Sequence, residues 1–216
     1  MNGHAFDLAG AALVARASGA LWWGARRLLV VSDLHFGKAE RLARRGGALL
    51  PPYDTQATLA RLDSEIAALD PAEVICLGDS FDDLEAAELP EVEALWLARL
   101  MAGRAWVWVE GNHDPGPVAL GGTHISALAR GPLWFCHVAE AGATAGEVSG
   151  HYHPKARLGG ASRPCFLIDR ARAILPAFGA FTGGLICTDP ALMALMRPGA
   201  LAVLTGRRAL AIPLPD

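Results

Sequence analysis

Five short segments of the sequence carry side chains that could bind metal ions, and each follows an apolar run. They are Asp33-x-His35, Gly78-Asp79, Gly111-Asn112-His113-Asp114, His137 and Gly150-His151-x-His153. The candidate ligands in them offer oxygen or nitrogen atoms, and none offers a thiolate. This mixture suits Mn²⁺, Fe, Zn²⁺ or Ni²⁺ better than a structural cysteine-rich zinc site. The sequence therefore predicts a metal centre built from carboxylates, an amide and imidazoles.

The number of candidate ligands indicates two ions rather than one. The candidates are Asp33, His35, Asp79, Asn112, His137, His151 and His153. They exceed what one tetrahedral ion needs, and they fit two ions if Asp79 bridges them. A single histidine after a strand is more often a surface or core residue, and His4 and His124 are interpreted in that way. The other five of the seven histidines fall on predicted strand ends beside Asp or Asn, which favours a shared site.

The apolar runs before these segments predict the strands of a single α/β domain over residues 1–216. Runs at residues 28–31, 74–77, 106–109 and 133–136 are typical of strands, and helices are predicted over residues 36–45, after Asp54 and over residues 90–101. Open α/β sheets collect their sites at the carboxyl ends of strands, so five such ends can converge in one crevice. Glycines before three of the segments would let the backbone turn sharply there.

The composition fits a folded, soluble, cytoplasmic protein. Hydrophobic residues make up 52% and charged residues 19%, which supplies a core and argues against disorder. The N-terminal residues lack a signal-peptide pattern, and no apolar run approaches the roughly 20 residues of a membrane span. The four cysteines form no C-x-x-C pair, so buried reduced thiols are expected. A formal net charge of −3 means that any DNA binding needs a local basic patch.

In order and at every block, the five segments match the motif set D-x-H, G-D-x-x-D, G-N-H-D/E, H and G-H-x-H. The sequence from Asp33 to His153 therefore resembles the calcineurin-like metallophosphoesterases. The resemblance implies an α/β fold in which two mixed β-sheets pack as a sandwich flanked by helices. It also implies two ligand sets that share Asp79: one with Asp33, His35 and His153, and one with Asn112, His137 and His151.

The same resemblance implies catalytic roles for His113 and Asp82. Two divalent ions can clamp a phosphate and activate water. His113 would stabilise the developing charge and protonate the departing alkoxide, and Asp82 matches the family aspartate that orients this histidine. The charges support phosphate binding, because two ions bring four positive charges whereas only Asp33 and Asp79 among the ligands are anionic.

Two further features narrow the expected substrate. Protein Ser/Thr phosphatases of this superfamily carry an arginine where this chain has Asp83, and an anion there would repel a dianionic monoester, which favours diesters. The segments VSDLHFGKAERLARRGGALLPPYDTQATLARL, LGDSF and LPAFGAFTGG resemble the bacterial ligase-associated DNA damage response endonucleases (PdeM type). That resemblance implies a Mn²⁺-dependent phosphodiesterase associated with a DNA ligase, helicase and nuclease set. The run His137-Val-Ala-Glu departs from the His-Glu-Pro expected in many relatives.

Residues outside the motifs add little to a DNA-binding interpretation. Lys38, Arg41 and Arg45 would share one face of a helix predicted over residues 36–45, either to meet a nucleic-acid backbone or as a solvated surface. Trp106 and Trp108 alternate along a strand, which predicts core or sheet-face residues rather than base-stacking platforms. The glycine-rich residues 175–184 lack the Lys and Ser/Thr of a P-loop and are interpreted as a structural turn near the crevice.

Two alternative functions stay open. One is hydrolysis of a small diester or pyrophosphate, such as a cyclic nucleotide or a nucleotide-linked lipid precursor. The lipid version favours an apolar insertion, for which residues 84–101 are the candidate. The other is a non-catalytic scaffold for protein contacts. Such family members lose the histidine of the third block, whereas His113 and all seven candidate ligands are present here.

Overall fold

Two β-sheets form the framework of the protein. The structure is a computed structural model, and it describes residues 2–39, 53–82, 89–114, 116, 120–142 and 145–215. Within these residues the first sheet contains seven strands that lie side by side in chain order. They are β1 (Gly3–Leu8), β2 (Ala11–Arg16), β3 (Leu21–Trp23), β4 (Leu28–Val31), β5 (Glu73–Leu77), β6 (Ala105–Val109) and β7 (Thr123–Ile125).

The first sheet changes from antiparallel to parallel at β4. Strands β1 to β4 pair antiparallel through short connections, whereas β4 to β7 pair parallel. Parallel neighbours need long crossovers. Two of these crossovers contain α1 (Asp54–Leu69) and α2 (Glu91–Met101). The carboxyl ends of β4, β5 and β6 therefore lie together at one edge of the sheet.

The second sheet is also mixed and contains eight strands among the described residues. Its spatial order is β15-β14-β12-β13-β10-β9-β8, and β11 pairs with β12 beside this path. Strands β9, β10 and β13 run parallel, so the carboxyl ends of β9 and β10 also lie together. The strands are β8 (Ala127–Arg130), β9 (Leu133–Cys136), β10 (Glu147–Ser149), β11 (Lys155–Leu158), β12 (Ala161–Ile168), β13 (Arg172–Ile174), β14 (Leu201–Leu204) and β15 (Leu210–Pro213).

Apolar side chains from the two sheets meet in one buried layer. Val30 and Ile75 of the first sheet belong to the same core cluster as Phe135 and Phe166 of the second. Helices α1 and α2 cover the other face of the first sheet, where Leu59, Leu97 and Trp106 share a second cluster. A third cluster covers the outer face of the second sheet and includes Leu192 of the short helix α3 (Pro190–Met193). The predicted sandwich of two mixed sheets flanked by helices is confirmed.

Several smaller predictions can be compared with the structure. Trp106 and Trp108 are each 3% exposed and belong to the core, as predicted. All four cysteines are free, and three of them are buried. Helix α1, predicted to start after Asp54, begins at that residue, and its N-cap is Tyr53. Residues 40–52, which include Arg41 and Arg45 of the predicted basic face, lie outside the described residues.

No helix in the described part of the chain is both long and apolar enough to cross a membrane.

Candidate metal centre

All five polar segments follow strands whose carboxyl ends meet at one end of the sandwich. In the first sheet, β4 ends two residues before Asp33, β5 two residues before Asp79, and β6 three residues before Asn112. In the second sheet, β9 ends immediately before His137, and β10 ends two residues before His151. Parallel pairing of β4, β5 and β6, and of β9 and β10, directs these five chain segments to the same region.

The ligand residues themselves adopt an unusual backbone conformation. Five of the seven candidates have a positive φ between 46° and 71°: Asp33, His35, Asp79, His151 and His153. A left-handed conformation is uncommon for residues with a side chain and persists where the surrounding structure enforces it. Of the three glycines before the segments, Gly78 has a positive φ, at 73°, whereas Gly111 and Gly150 do not. The sharp turns that we expected at glycines therefore occur largely at the ligands.

The first group of close ligand atoms consists of Asp33, His35 and His153. The Nε2 atoms of the two histidines lie 3.3 Å apart, and Asp33 Oδ1 lies 3.1 Å from His153 Nε2. The other oxygen of Asp33 accepts hydrogen bonds from the Ser32 hydroxyl and from the main-chain N–H of His151. These bonds turn Oδ1 toward the two imidazoles.

The second group consists of Asp79, His137 and His151, with Asn112 beside it. Nε2 of His137 lies 3.1 Å from Asn112 Oδ1, 3.2 Å from His151 Nδ1 and 3.4 Å from Asp79 Oδ2. The structure thus brings all seven predicted ligands into two clusters. Asp79 belongs to the second cluster by distance, and its Oδ1 accepts a hydrogen bond from the main-chain N–H of His113.

The ring nitrogens in the first group are arranged for a cation rather than for hydrogen bonds to each other. His35 donates from Nδ1 to the Asp82 carboxylate at 2.8 Å, so in the neutral ring its Nε2 presents a lone pair toward His153. Asp33 Oδ1 is buried and lacks a hydrogen-bond partner. Electron-rich atoms that converge in this way are stabilised by a positive ion between them. These three ligand residues fit a divalent metal ion.

The second group shows the same arrangement. His137 donates from Nδ1 to the main-chain carbonyl of Leu77 at 2.8 Å, so its Nε2 is the atom that faces Asp79, His151 and Asn112. A hydrogen bond on one ring nitrogen fixes which nitrogen can bind a metal. The donor set of carboxylate, amide and imidazole atoms matches the sequence-based prediction, and it suits a second divalent ion.

The charges of the two groups are strongly coupled. Burial alone would raise the pKa of Asp79, but the hydrogen bond and charge of His137 hold that pKa well below its usual value. Burial likewise opposes the ionisation of Asp33, but the hydrogen bonds from His153 and Ser32 and the charges of His153 and His137 together lower its pKa. Burial would lower the pKa of His137, but the Asp79 carboxylate and the charge of Asp33 raise it to about 9. A metal ion in the second group would bind His137 through an unprotonated Nε2.

Asp82 and His113 take positions that differ in detail from the prediction. The Asp82 carboxylate does bond a histidine, but that histidine is the candidate ligand His35. His113 contacts Asp82 through its Nδ1, which lies 3.0 Å from the Asp82 main-chain carbonyl and donates to it. The rings of His113 and His35 meet edge to face with centroids 5.5 Å apart. Asp82 therefore contacts both histidines, but it reaches His113 through the backbone.

Asp114 holds the Asp79 loop in place, a role that the sequence analysis did not assign. Its buried carboxylate accepts main-chain hydrogen bonds from Asp79, Ser80, Phe81 and Gly111 at 2.7 to 3.2 Å. Burial raises the pKa of Asp114 to about 6, against the effect of these donors. The carboxylate links the second and third motif blocks. The sequence carried one signal for Asp114, which is its place in the tetrad Gly111–Asp114. It is the one side chain of the tetrad that was assigned neither metal binding nor catalysis.

The glycine-rich residues 175–184 support the first ligand group from behind. Phe178 and Gly179 donate their main-chain N–H groups to the carbonyls of Ser32 and Asp33, at 2.7 and 2.9 Å. A Cβ at Gly184 would fall within 2.8 Å of His153 Cβ. Because the Phe178 and Gly179 amides are already used, they do not form a phosphate cradle. This agrees with the interpretation of a structural turn.

Comparison with known proteins assigns the chain to a family. Residues 26–168 match the model of the calcineurin-like phosphoesterases, and the chain belongs to this family. A metal-dependent phosphoesterase is the class that this membership and the two ligand groups define. Among solved structures, the crystal structure of the nuclease MPE of Pseudomonas putida is similar, with 33% identity and a TM-score of 0.77. The similarity covers 99% of this chain and 100% of that chain. No curated protein matches.

Proposed function

We propose that this protein is a dimetal phosphodiesterase that cleaves DNA during repair. The observation that carries the proposal is the meeting of two ligand groups and His113 in one crevice. A single ion would leave one group of buried, electron-rich atoms without a counter-charge. The nuclease relative supports a nucleic-acid substrate.

In this proposal, Asp33, His35 and His153 would hold one ion, Asn112, His137 and His151 would hold the other, and Asp79 would be the carboxylate that both sets share. Two divalent ions held there would supply Lewis-acid chemistry for a bound phosphate and an attacking water. Mn²⁺ is the favoured metal because the resemblance to the ligase-associated endonucleases implies it, whereas the carboxylate, amide and imidazole ligands alone would also suit Fe, Zn²⁺ or Ni²⁺.

His113 is proposed as the general acid. Its Nδ1 donates to the Asp82 carbonyl, which leaves Nε2 as the ring nitrogen for the substrate. Its main-chain N–H bonds Asp79, so the imidazole is fixed relative to the ligands. A proton held at Nε2 would stabilise the charge on the leaving oxygen and then transfer to it. Asp82 is a positioning residue that acts through His35 and His113.

The diester preference and the cellular setting rest on the sequence. Asp83 replaces the arginine with which related phosphatases grip a monoester, and this negative charge disfavours a dianionic substrate. The resemblance to ligase-associated endonucleases supports a cytoplasmic role in DNA repair beside DNA ligase and helicase proteins. A single domain over residues 1–216 would carry the whole activity.

The test is an assay of the purified, Mn²⁺-supplemented protein against four substrates. These are a chromogenic phosphodiester, the matching monoester, 2′,3′-cyclic nucleotides and single-stranded DNA. We expect turnover of the chromogenic diester and of DNA, little turnover of the monoester, and loss of both activities with EDTA. Cleavage of cyclic nucleotides without cleavage of DNA would instead support the small-diester alternative. Inactivity on every substrate, with two ions bound, would support a scaffold.

A further inference from the structure

A cleft of about 470 Å³ lies directly beside the second ligand group. Its lining includes the candidate ligands Asn112 and His137 together with Trp134, Val138, Glu110 and Glu140. Pockets that hold small molecules typically measure about 300–1,000 Å³. The cleft is therefore large enough for a substrate group next to a phosphate bound at the metal centre. The far wall of the cleft is formed by residues other than the seven candidate ligands and His113.

The far wall is the outer face of strands β8, β9 and β10. Along β9, Leu133 and Phe135 point into the core, whereas Trp134 and Cys136 point away from it. The register places Ala129 opposite Trp134, and Ala127 opposite Cys136. The methyl group of Ala129 is too small to cover the indole of Trp134, which is 48% exposed. The sheet thus presents a flat aromatic surface to the cleft.

The charge of the cleft indicates which part of a nucleic acid it can accept. Among the described residues that line it there is no lysine or arginine. Glu147 at its base is buried and paired with Arg172 at 3.2 Å. Within the described part of the chain, Glu110 and Glu140 form no ion pair, and Glu140 is exposed. A phosphate would be repelled here, whereas a group with N–H donors would be stabilised by the carboxylates.

We propose that this cleft binds the nucleobase next to the scissile phosphate and selects bases that carry an exocyclic amino group. The inference rests on the proposed function, since the metal centre supplies the phosphate position. Trp134 would stack on the face of the base, and Glu110 or Glu140 would accept a hydrogen bond from the amino group of adenine, cytosine or guanine. Thymine lacks that amino group, and its one ring N–H donor lies between two carbonyl oxygens that the carboxylates would repel, so it would be bound less well.

The test uses oligonucleotides of one length: oligo-dC, oligo-dA, oligo-dT and an abasic oligomer with the same phosphodiesters. For the wild-type protein we expect kcat/KM on dC and dA to exceed that on dT by about five- to tenfold. Trp134→Ala should lower cleavage of the base-containing oligomers by roughly 5- to 100-fold and leave the abasic oligomer unaffected. The double variant Glu110→Gln/Glu140→Gln should remove the preference over dT.

Leu210→Ala is the matched control, because Leu210 is 43% exposed and lies on β15 at the opposite edge of the same sheet. Dissociation constants measured in a turnover-deficient His113→Ala background give a second readout, and they should follow the same order. Elemental analysis of the Trp134 and Glu variants should show unchanged metal content.

The outcomes separate this inference from the proposed function. Equal cleavage of dC, dA and dT, with Trp134→Ala indistinguishable from Leu210→Ala, would overturn the base subsite and leave a nuclease. An equal effect of Trp134→Ala on the abasic oligomer would also overturn it. A wild-type protein that hydrolyses a chromogenic diester but no oligonucleotide would contradict the proposed nucleic-acid substrate, and the subsite with it.

Discussion

The two ligand groups differ in what lies behind their histidines. In the first group, His35 donates from Nδ1 to the buried carboxylate of Asp82. In the second group, His137 donates from Nδ1 to the neutral main-chain carbonyl of Leu77. An anionic acceptor makes the imidazole a stronger ligand than a neutral acceptor does. We therefore infer that the first group binds its ion more tightly.

The two groups have the same burial pattern, with two buried residues and one partly buried residue each, and they differ in the exposure of Asn112 beside the second group. Asp33 in the first group is fully buried, and residues 175–184 pack behind it. In the second group, Asn112 is exposed and forms part of the wall of the adjacent cleft. Among the seven candidate ligands, Asn112 is therefore the one that is both exposed and part of the cleft wall. The predictions below test this difference.

Replacing Asp79 should have the largest effect. In Asp79→Ala, the second group loses its carboxylate, and the main-chain N–H of His113 loses its acceptor. Loss of several kcal/mol of charge stabilisation corresponds to a decrease in phosphodiesterase activity of about 10³-fold or more. Elemental analysis should find at most one ion per chain. Asp7→Ala, on the edge strand β1 of the first sheet, should retain both ions. Full occupancy in Asp79→Ala would show that this carboxylate binds no metal.

His113→Ala separates metal binding from catalysis. Its imidazole is absent from both ligand groups, so the variant should keep two ions while kcat falls by roughly 10²–10⁴-fold. Turnover of a chromogenic diester and metal content are measured on the same preparation. His4→Ala on β1 serves as the control histidine and should behave as wild type. Undiminished turnover would exclude His113 as the general acid.

Asp82→Asn tests the difference between the two groups directly. The amide keeps the shape of the carboxylate but removes the charge behind His35. Loss of such a partner typically weakens metal affinity by about 10–100-fold. A titration that resolves two binding constants should show the tighter one weakened and the other nearly unchanged. If both constants weaken equally, or only the weaker one changes, the assignment of the tighter site to the first group is wrong.

Much of the site could be predicted from the sequence because its ligands follow strands. Asp33, Asp79 and Asn112 come soon after buried runs, and the rule that α/β sites form at carboxyl ends brings them together. His137 and His151 follow the same rule in the second sheet. The fold was predictable because the motifs match those of one family in the correct order, and the family implies the fold.

Other features depend on side-chain direction, which sequence spacing does not specify. Asp82 lies close to both His35 and His113, and only the three-dimensional arrangement shows which ring its carboxylate contacts. Trp134 received no functional assignment. Alternation along a strand shows that Trp134 and Phe135 point to opposite faces of the sheet, but it does not show which face is left uncovered. Asp114 was missed because main-chain hydrogen bonds carry no sequence signature.

The smallest expected effect comes from Gly78→Ala, which probes how closely the second group is packed. Gly78 has φ of 73°, and a Cβ there would fall within 2.9 Å of His137 Cβ and still closer to the ring. Gly10→Ala is a matched control, because Gly10 has φ of 83° and nothing within 4 Å of the added Cβ. The backbone cost, about 1–2 kcal/mol, is common to both variants. The added clash in Gly78→Ala should cost about 1–2 kcal/mol more, or roughly 2–8 °C in Tm of the metal-free protein.

Metal titration of Gly78→Ala and Gly10→Ala shows which of the two metal-binding constants each substitution changes. Gly10→Ala should bind both ions as wild type does, since β1 and β2 lie far along the sheet from the ligands. In Gly78→Ala the His137 ring must move away from Asn112 and Asp79, so the weaker binding constant should fall and the tighter one should stay. Equal Tm values for the two variants, with unchanged metal binding, would mean that the second group accommodates the methyl group. Close packing against the His137 ring would then not explain why residue 78 is glycine.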